Sequence, residues 1–141
     1  MTNRRVIALD VGDVRFGVAL SDETRTIAQP LEVYKRVGYG PDSRYVLALC
    51  ERYATKDVLV GLPLNMDGTR GAQAEKAVAF GDVLAAAGLN VFYLDERMTT
   101  ITAERALIDG GVRRENRRQY VDKLAAAVIL EQWLRKEQNH Q

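Results

Sequence analysis

Two rhythms of apolar and polar positions run along the chain, and the switches between them divide it into elements. Val6 to Val11 is an apolar run carrying one carboxylate, Asp10, and it ends in the turn Gly12-Asp13-Val14. A short apolar run of this kind reads as a strand buried on both faces. Arg15 to Leu20 reads as a second strand, so the pair forms a β-hairpin with a carboxylate beside its turn. Gly17 leaves a gap in the second strand's side-chain row, where another backbone or a ligand can come close. Thr26 to Val37 is rich in β-favouring residues around Pro30, which has no ladder donor, and this predicts an edge strand.

The rhythm then becomes helical. Asp42 or Ser43 is placed to cap a helix with apolar positions Val46, Leu49, Cys50 and Tyr53. Asp57 to Gly61 reads as a buried strand, followed by the loop Leu62 to Gly71. Ala72 to Ala87 predicts a helix with Ala77, Phe80 and Leu84 on its apolar face, stopped by Gly88. Leu89 to Leu94 reads as a fifth strand. Thr99 or Thr100 then caps a helix to about Asp109, which Gly110-Gly111 terminates. An arginine-rich loop leads to a last helix from Gln119 to about Lys136, with Glu137 to Gln141 as a frayed tail. The order β-β-β-α-β-α-β-α-α predicts an α/β fold, a mixed five-stranded sheet flanked by helices. The first three strands should be antiparallel and the later ones parallel crossovers.

Length and composition narrow the picture. At 141 residues the chain is sized for one domain, 1–141, with a substantial core, and its 47% hydrophobic and 28% charged residues are globular values. No apolar run approaches the roughly 20 residues that span a bilayer, and the first residues carry no signal-peptide pattern. Cys50 is the single cysteine, which fits a reducing cytoplasm and a packed thiol better than a nucleophile. A net charge of +1 says nothing for or against a nucleic-acid partner, so the argument rests on placement. Arg113, Arg114, Arg117 and Arg118 fall within six residues, with Lys123 near them. That cluster is either a solvated loop or a grip on a phosphodiester backbone.

Three acids sit where solvation explains them poorly: Asp10 in the first strand, Glu96 after the fifth, and Asp122 early in the last helix. Ala125, Ala126, Ile129 and Trp133 lie within about 60° of Asp122 around a helix of 3.6 residues per turn, so Asp122 shares the apolar side. If the ends of the first and fifth strands are neighbours and the last helix crosses them, the three carboxylates converge. Their repulsion is relieved by a divalent cation, and hard oxygen donors suit Mg²⁺ or Mn²⁺. Such a site activates water and stabilises a phosphate leaving group. Blander uses stay open. Asp10 can bond turn amides, Asp95 can serve in place of Glu96, and Asp122 can simply favour a helix N-terminus. Asn65 and Thr69 can reach phosphate or ribose hydroxyls, or just close their turn.

Four segments carry a resemblance. L-D-V-G-D-V-R-F-G-V-A-L-S-D (9–22), V-G-L-P-L-N-M-D-G-T (60–69), L-D-E-R-M-T-T (94–100) and V-D-K-L-A-A-A-V-I-L (121–130) are similar to motifs of the YqgF/RuvX family. These are Holliday-junction-resolvase-like proteins of the ribonuclease H superfamily. The resemblance implies a ribonuclease-H-like fold and a metal-dependent nuclease acting at the 5′ end of pre-16S rRNA, with activity on branched DNA as a further implication. It places the family's acidic positions at Asp10, Glu96 and Asp122, which would hold Mg²⁺ or Mn²⁺. Arg113, Arg114, Arg117 and Arg118 would position the nucleic acid, with Arg15, Asn65 and Lys123 as further contacts. Asp13-Val14 departs from the family pattern of a small polar then a basic residue, and Asp13 becomes another candidate near the metal. RNA against DNA preference, cleavage polarity, and monomer against homodimer stay open. Two other readings compete: a non-catalytic RNA- or ribosome-binding module, and an actin-like phosphate-loop nucleotide binder.

Overall fold

The structure, a computed structural model, describes residues 4–95 and 114–139, with side chains over 4–95 and 124–137. Five strands are present: β1 (Ile7–Val11), β2 (Arg15–Ser21), β3 (Ala28–Lys35), β4 (Asp57–Leu62) and β5 (Asn90–Asp95). The helices are α1 (Tyr39–Arg52), α2 (Ala72–Ala86) and α3 (Arg114–Asn139). They form one sheet in the order β3-β2-β1-β4-β5. β1, β2 and β3 pair antiparallel, while β1–β4 and β4–β5 are parallel. The mixed sheet is therefore as expected. One expectation needs correction: the first and fifth strands are not neighbours. The crossover through α1 sets β4 beside β1, and the crossover through α2 adds β5 outside it, so β1 and β5 stand about 10 Å apart, two strand spacings.

Alternation divides the sheet into two cores. Ile7, Leu9, Val11, Phe16, Val18, Val58 and Val60 meet Val46, Leu49, Phe80 and Leu84 of α1 and α2. On the other face Ala8, Ala19, Leu59 and Leu94 meet Ala126, Ile129, Leu130 and Trp133 of α3. The helical positions read from the sequence are buried, except Tyr53, which is partly buried just past the end of α1. β3 lies at the sheet edge, and its register slips between Val18 and Ala19 where Pro30 stands opposite Ala19. A residue without an N–H is tolerated at such an irregularity.

Three helix boundaries differ from expectation. α1 starts at Tyr39, ahead of Asp42 and Ser43, and has no side-chain cap. Pro41 lacks only an N–H that no first turn uses, so the helix runs through it. Asp42 instead reaches back to accept the amides of Val37 and Gly38, at 2.9 and 3.3 Å. α3 begins at Arg114, so Arg114, Arg117 and Arg118 are helical, not loop, and it continues to Asn139 through the expected frayed tail. Arg, Glu and Gln are good helix formers, and no Gly or Pro interrupts 114–139; the missing apolar rhythm marks a stretch without an apolar stripe. α2 ends as expected before Gly88, whose φ of 100° suits glycine. The helix expected from Thr99 or Thr100 to Asp109, Gly110-Gly111 and Arg113 lie outside the described residues.

The link from β2 to β3 is organised by Asp22, which accepts the amides of Thr26 and Ile27 at 2.7 and 2.9 Å and the Thr24 hydroxyl. The Ile27 amide first, then the Thr24 hydroxyl, bring its carboxyl down to about 2 from the usual 3.8. A depressed carboxylate contributes stability above its unfolded pKa and loses it as pH falls through the folded one. Wild type should thus lose stability relative to Asp22→Asn between about pH 4 and pH 2. Thermal melts of both proteins across that window check it, and parallel curves would refute it.

Candidate functional site

Asp10 is the acid that the sheet places best. Its ladder partner on β2 is Gly17. On β4 the register Leu9↔Val60 sets Gly61 at the next step, and Gly61 pairs in turn with Leu94 of β5. Leu94 belongs to the α3-side core, whereas Leu9 and Val11 face α1 and α2, so Asp10, Gly17, Gly61 and Leu94 share the α3 side. A carboxylate inside a buried strand is costly unless something compensates it. Here both flanking strands carry glycine at its level, leaving room around it, and Asp10 is only half-buried. The sequence singled out Gly17 but not Gly61, whose role depends on register.

α3 runs antiparallel to β1 across this face. Its Leu134 and Arg135 lie beside Thr26, Ile27 and Ala28, next to the start of β3. Its Trp133 lies under Arg25, which is ion-paired to Asp57 at the start of β4. The earlier turns therefore lie toward the carboxyl end of β1. They carry Arg114, Arg117, Arg118, Asp122 and Lys123, with Asp122 one turn before the buried Ala126. The side chains of these five residues, and the whole of Glu96, lie outside the described portion. Among the described residues no three His, Cys, Asp or Glu side chains form a metal-binding group.

Other sequence candidates separate. Asp95 follows Leu94 by one residue, and alternation turns it to the α1–α2 face, away from Asp10. Asp13 leans onto α2: its oxygens accept from Lys76 Nζ at 2.8 Å and Gln73 Nε2 at 3.0 Å. The Lys76 bond is the chief reason its carboxyl sits below the usual range. Asn65 donates through Nδ2 to Thr69 Oγ1 at 3.0 Å, while Thr69 donates to Asp67. These bonds close the 62–71 loop. Arg15 stands at the start of β2 on the Asp10 side, two residues before Gly17. Cys50 is buried, its thiol pushed up to about 11 by burial and then by Asp57. It borders a cleft of about 510 Å³ at the amino ends of β4 and β5, far from Asp10.

One organising group escaped the sequence reading. Arg36 donates from Nη1 to the Gly12 carbonyl at 2.9 Å and from Nε to Asp42 at 3.0 Å, and its guanidinium lies over the rings of Tyr39 and Phe80. It ties the turn after Asp10 to α1 and α2. In sequence it is one more charge at a strand end, and only the fold reveals its partners. Gly12 itself is tightly held, since a Cβ there would meet the Arg15 carbonyl at 2.8 Å.

Comparison with known proteins agrees with this architecture. The family model described as RuvX, Holliday junction resolvase, matches residues 4–136. A protein of Caldanaerobacter subterraneus subsp. tengcongensis, named as a candidate pre-16S rRNA nuclease, is 42% identical over 96% of this chain and 99% of its own length. One of Clostridioides difficile with the same name is 39% identical over 95% of this chain and 96% of its own. Among solved structures, T. thermophilus RuvC in complex with a Holliday junction substrate superposes with a TM-score of 0.57. It is 21% identical, and the match covers 95% of each chain. The large terminase nuclease of phage G20c gives 0.53 at 16% identity, over 87% of this chain and 80% of that one. Both support the ribonuclease-H-like fold that the resemblance implies. With a model match along nearly its whole length and relatives near 40% identity, the chain belongs to the RuvX family of Holliday junction resolvases.

Proposed function

We propose that this protein is a divalent-metal-dependent nuclease that processes the 5′ end of precursor 16S rRNA in the cytoplasm. The observation that carries the reading is Asp10: a carboxylate in mid-sheet, flanked by Gly17 and Gly61 on its own face, beneath the helix that carries Asp122. The names of the relatives give the RNA substrate. A hard oxygen donor in a glycine-flanked space suits Mg²⁺ or Mn²⁺, and Asp10, Glu96 and Asp122 are the residues that would hold it. When bound, the cation supplies charge neutralisation at a scissile phosphodiester. Gly17 and Gly61 leave space for a substrate phosphate to approach Asp10. Arg15, Asn65 and Arg113, with Arg114, Arg117, Arg118 and Lys123 from the first turns of α3, hold the backbone through charge-assisted bonds. The absence of a described helix long and apolar enough to cross a membrane is consistent with a cytoplasmic site of action.

The test is a panel of single-stranded RNA, single-stranded DNA and four-way junctions, each incubated with Mn²⁺, Mg²⁺ or EDTA. Single-stranded RNA bearing the precursor 5′ end should be cut with either metal and left intact in EDTA. Cleavage that persists in EDTA, or that appears only with the junction, would overturn the proposal.

A further inference from the structure

The turn that follows Asp10 is tied to an aromatic ring that the fold holds but does not bury. Tyr39 opens α1, and its plane lies 18° from that of Phe80, with ring centres 6.3 Å apart. The Arg36 guanidinium sits over both rings, 5.6 Å from the centre of Tyr39 and 5.4 Å from that of Phe80. These contacts fix the ring from its inner side, yet Tyr39 is 47% exposed. Its hydroxyl has no hydrogen-bond partner among the described residues. Arg36 also binds the Gly12 carbonyl, so one guanidinium separates the ring from the turn after Asp10.

The surroundings of the ring are kept open. Gly38 and Gly40 flank Tyr39, and neither backbone nor packing demands glycine at either position. Gly38 has an extended φ of 166°, which any residue adopts, and Gly40 is helical. A Cβ on Gly38 would meet only Pro41 Cδ at 4.0 Å, and one on Gly40 only Arg44 Nη1 at 3.5 Å. Glycine weakens a helical turn, so the fold gives up local stability to leave both neighbours of an exposed ring without side chains. Val14 and Val37 add an exposed apolar shoulder, brought together by the Arg36 amide on the Val14 carbonyl at 2.8 Å. The charge at hand is positive: Arg44, beside Gly40, is exposed and makes no ion pair among the described residues.

We propose that Tyr39 is a stacking platform for an unpaired base of the substrate strand. The proposal rests on the nuclease reading above and adds the part of the molecule that prefers single strands to duplex. Every base has a π-face, and only an unpaired base can be splayed onto a side chain. Phe80 and Arg36 hold the ring in place beforehand, so little ordering is lost on binding. The nearby cation suits a ligand whose bases are joined by phosphates. The route does not cross the sheet face that α3 covers. β1 and β4 are parallel, and the strand passes from Asp10 over their carboxyl ends, past the Gly12-Asp13-Val14 turn, to Tyr39 on the α1–α2 side.

The experiment compares wild type, Tyr39→Leu and Tyr39→Phe. Binding of a single-stranded RNA and of the same sequence as a duplex is measured in EDTA across a salt series. Tyr39→Leu should weaken single-strand binding about 10-fold, the scale of one base stack, and leave duplex affinity within about twofold. The slope of log affinity against log salt should not change, because a stack neutralises no phosphate. Tyr39→Phe should bind like wild type. A 2-aminopurine stepped along the RNA should be quenched at one position by wild type and Tyr39→Phe, and stay bright with Tyr39→Leu. Equal losses on single strand and duplex, or a changed slope, overturn the platform. So does a wild-type dimer that Tyr39→Leu dissociates, which would give the ring to a second copy of the chain. If Tyr39→Leu melts more than a few degrees below wild type, the wild-type scan decides by itself: one quenched position supports the platform, and none overturns it. If wild type and Tyr39→Leu bind single strands equally, the platform alone fails; if wild type neither binds nor cleaves nucleic acid, the nuclease reading fails and takes the platform with it.

Discussion

Asp10→Asn should abolish metal-dependent cleavage, lowering the rate by about 10³-fold or more, on the order of 4 kcal/mol of transition-state stabilisation. Asparagine keeps the shape of the side chain but removes its charge and one of its two oxygen donors. The packing around position 10 is unaffected, since the facing positions on both flanking strands are glycines. Stability should not fall with activity. An isosteric amide fills the same space in this half-buried strand position, so the melting temperature should stay within a few degrees of wild type. This pairing of effects is the diagnostic result, read from initial rates with Mn²⁺ and a melt of the same preparation. A variant that cuts at the wild-type rate would remove Asp10 from the site. One that loses activity only because it unfolds would reduce Asp10 to a structural residue.

Asp10 was legible in the sequence because local rules suffice to find it. A lone carboxylate in an apolar run stands out whatever surrounds it, and period-two alternation is enough to set Asp95 on the other face from Leu94. The helical faces of α1, α2 and α3 were legible for the same reason. What pattern does not encode is which strands become neighbours. β4 separates β1 from β5 because of where two crossovers land, and Gly61 becomes Asp10's neighbour by that route. Helix starts were read from capping residues and apolar rhythm, and both misled. Asp42 bonds amides behind it instead of capping a helix ahead, and Arg114 to Arg118 are helical without any apolar stripe. Asp13, a candidate metal neighbour by sequence distance, is drawn to Lys76 and Gln73 across 63 and 60 residues.

Arg36→Ala should give the largest loss of stability, about 3–5 kcal/mol, the cost of removing one partner from a buried ion pair. Asp42 is fully buried and Arg36 partly so, its side chain 14% exposed, and the guanidinium also holds the Gly12 carbonyl and covers Phe80. Alanine would leave the carboxylate with the Val37 and Gly38 amides but no counter-charge. For a chain of this length the melting temperature should drop by on the order of 10 °C. Lysine at position 36 should recover only part of this, because one ammonium cannot serve Gly12 and Asp42 in the planar manner of a guanidinium. Arg36→Met combined with Asp42→Leu should recover most of it, since apolar residues leave no buried charge behind. The pH dependence separates charge from packing. Burial raises the Asp42 carboxyl, but the Val37 amide and the Arg36 guanidinium outweigh it and hold the group below the usual carboxylate value. Without Arg36 the carboxyl rises and accepts a proton more readily, and protonation relieves the uncompensated charge. The deficit of Arg36→Ala relative to wild type should therefore be widest at neutral pH and narrow in acid, as measured by urea unfolding at pH 7 and pH 4. A deficit of the same size at both pH values would mean that Arg36 acts through its contacts with Phe80 and Tyr39 and not through its charge.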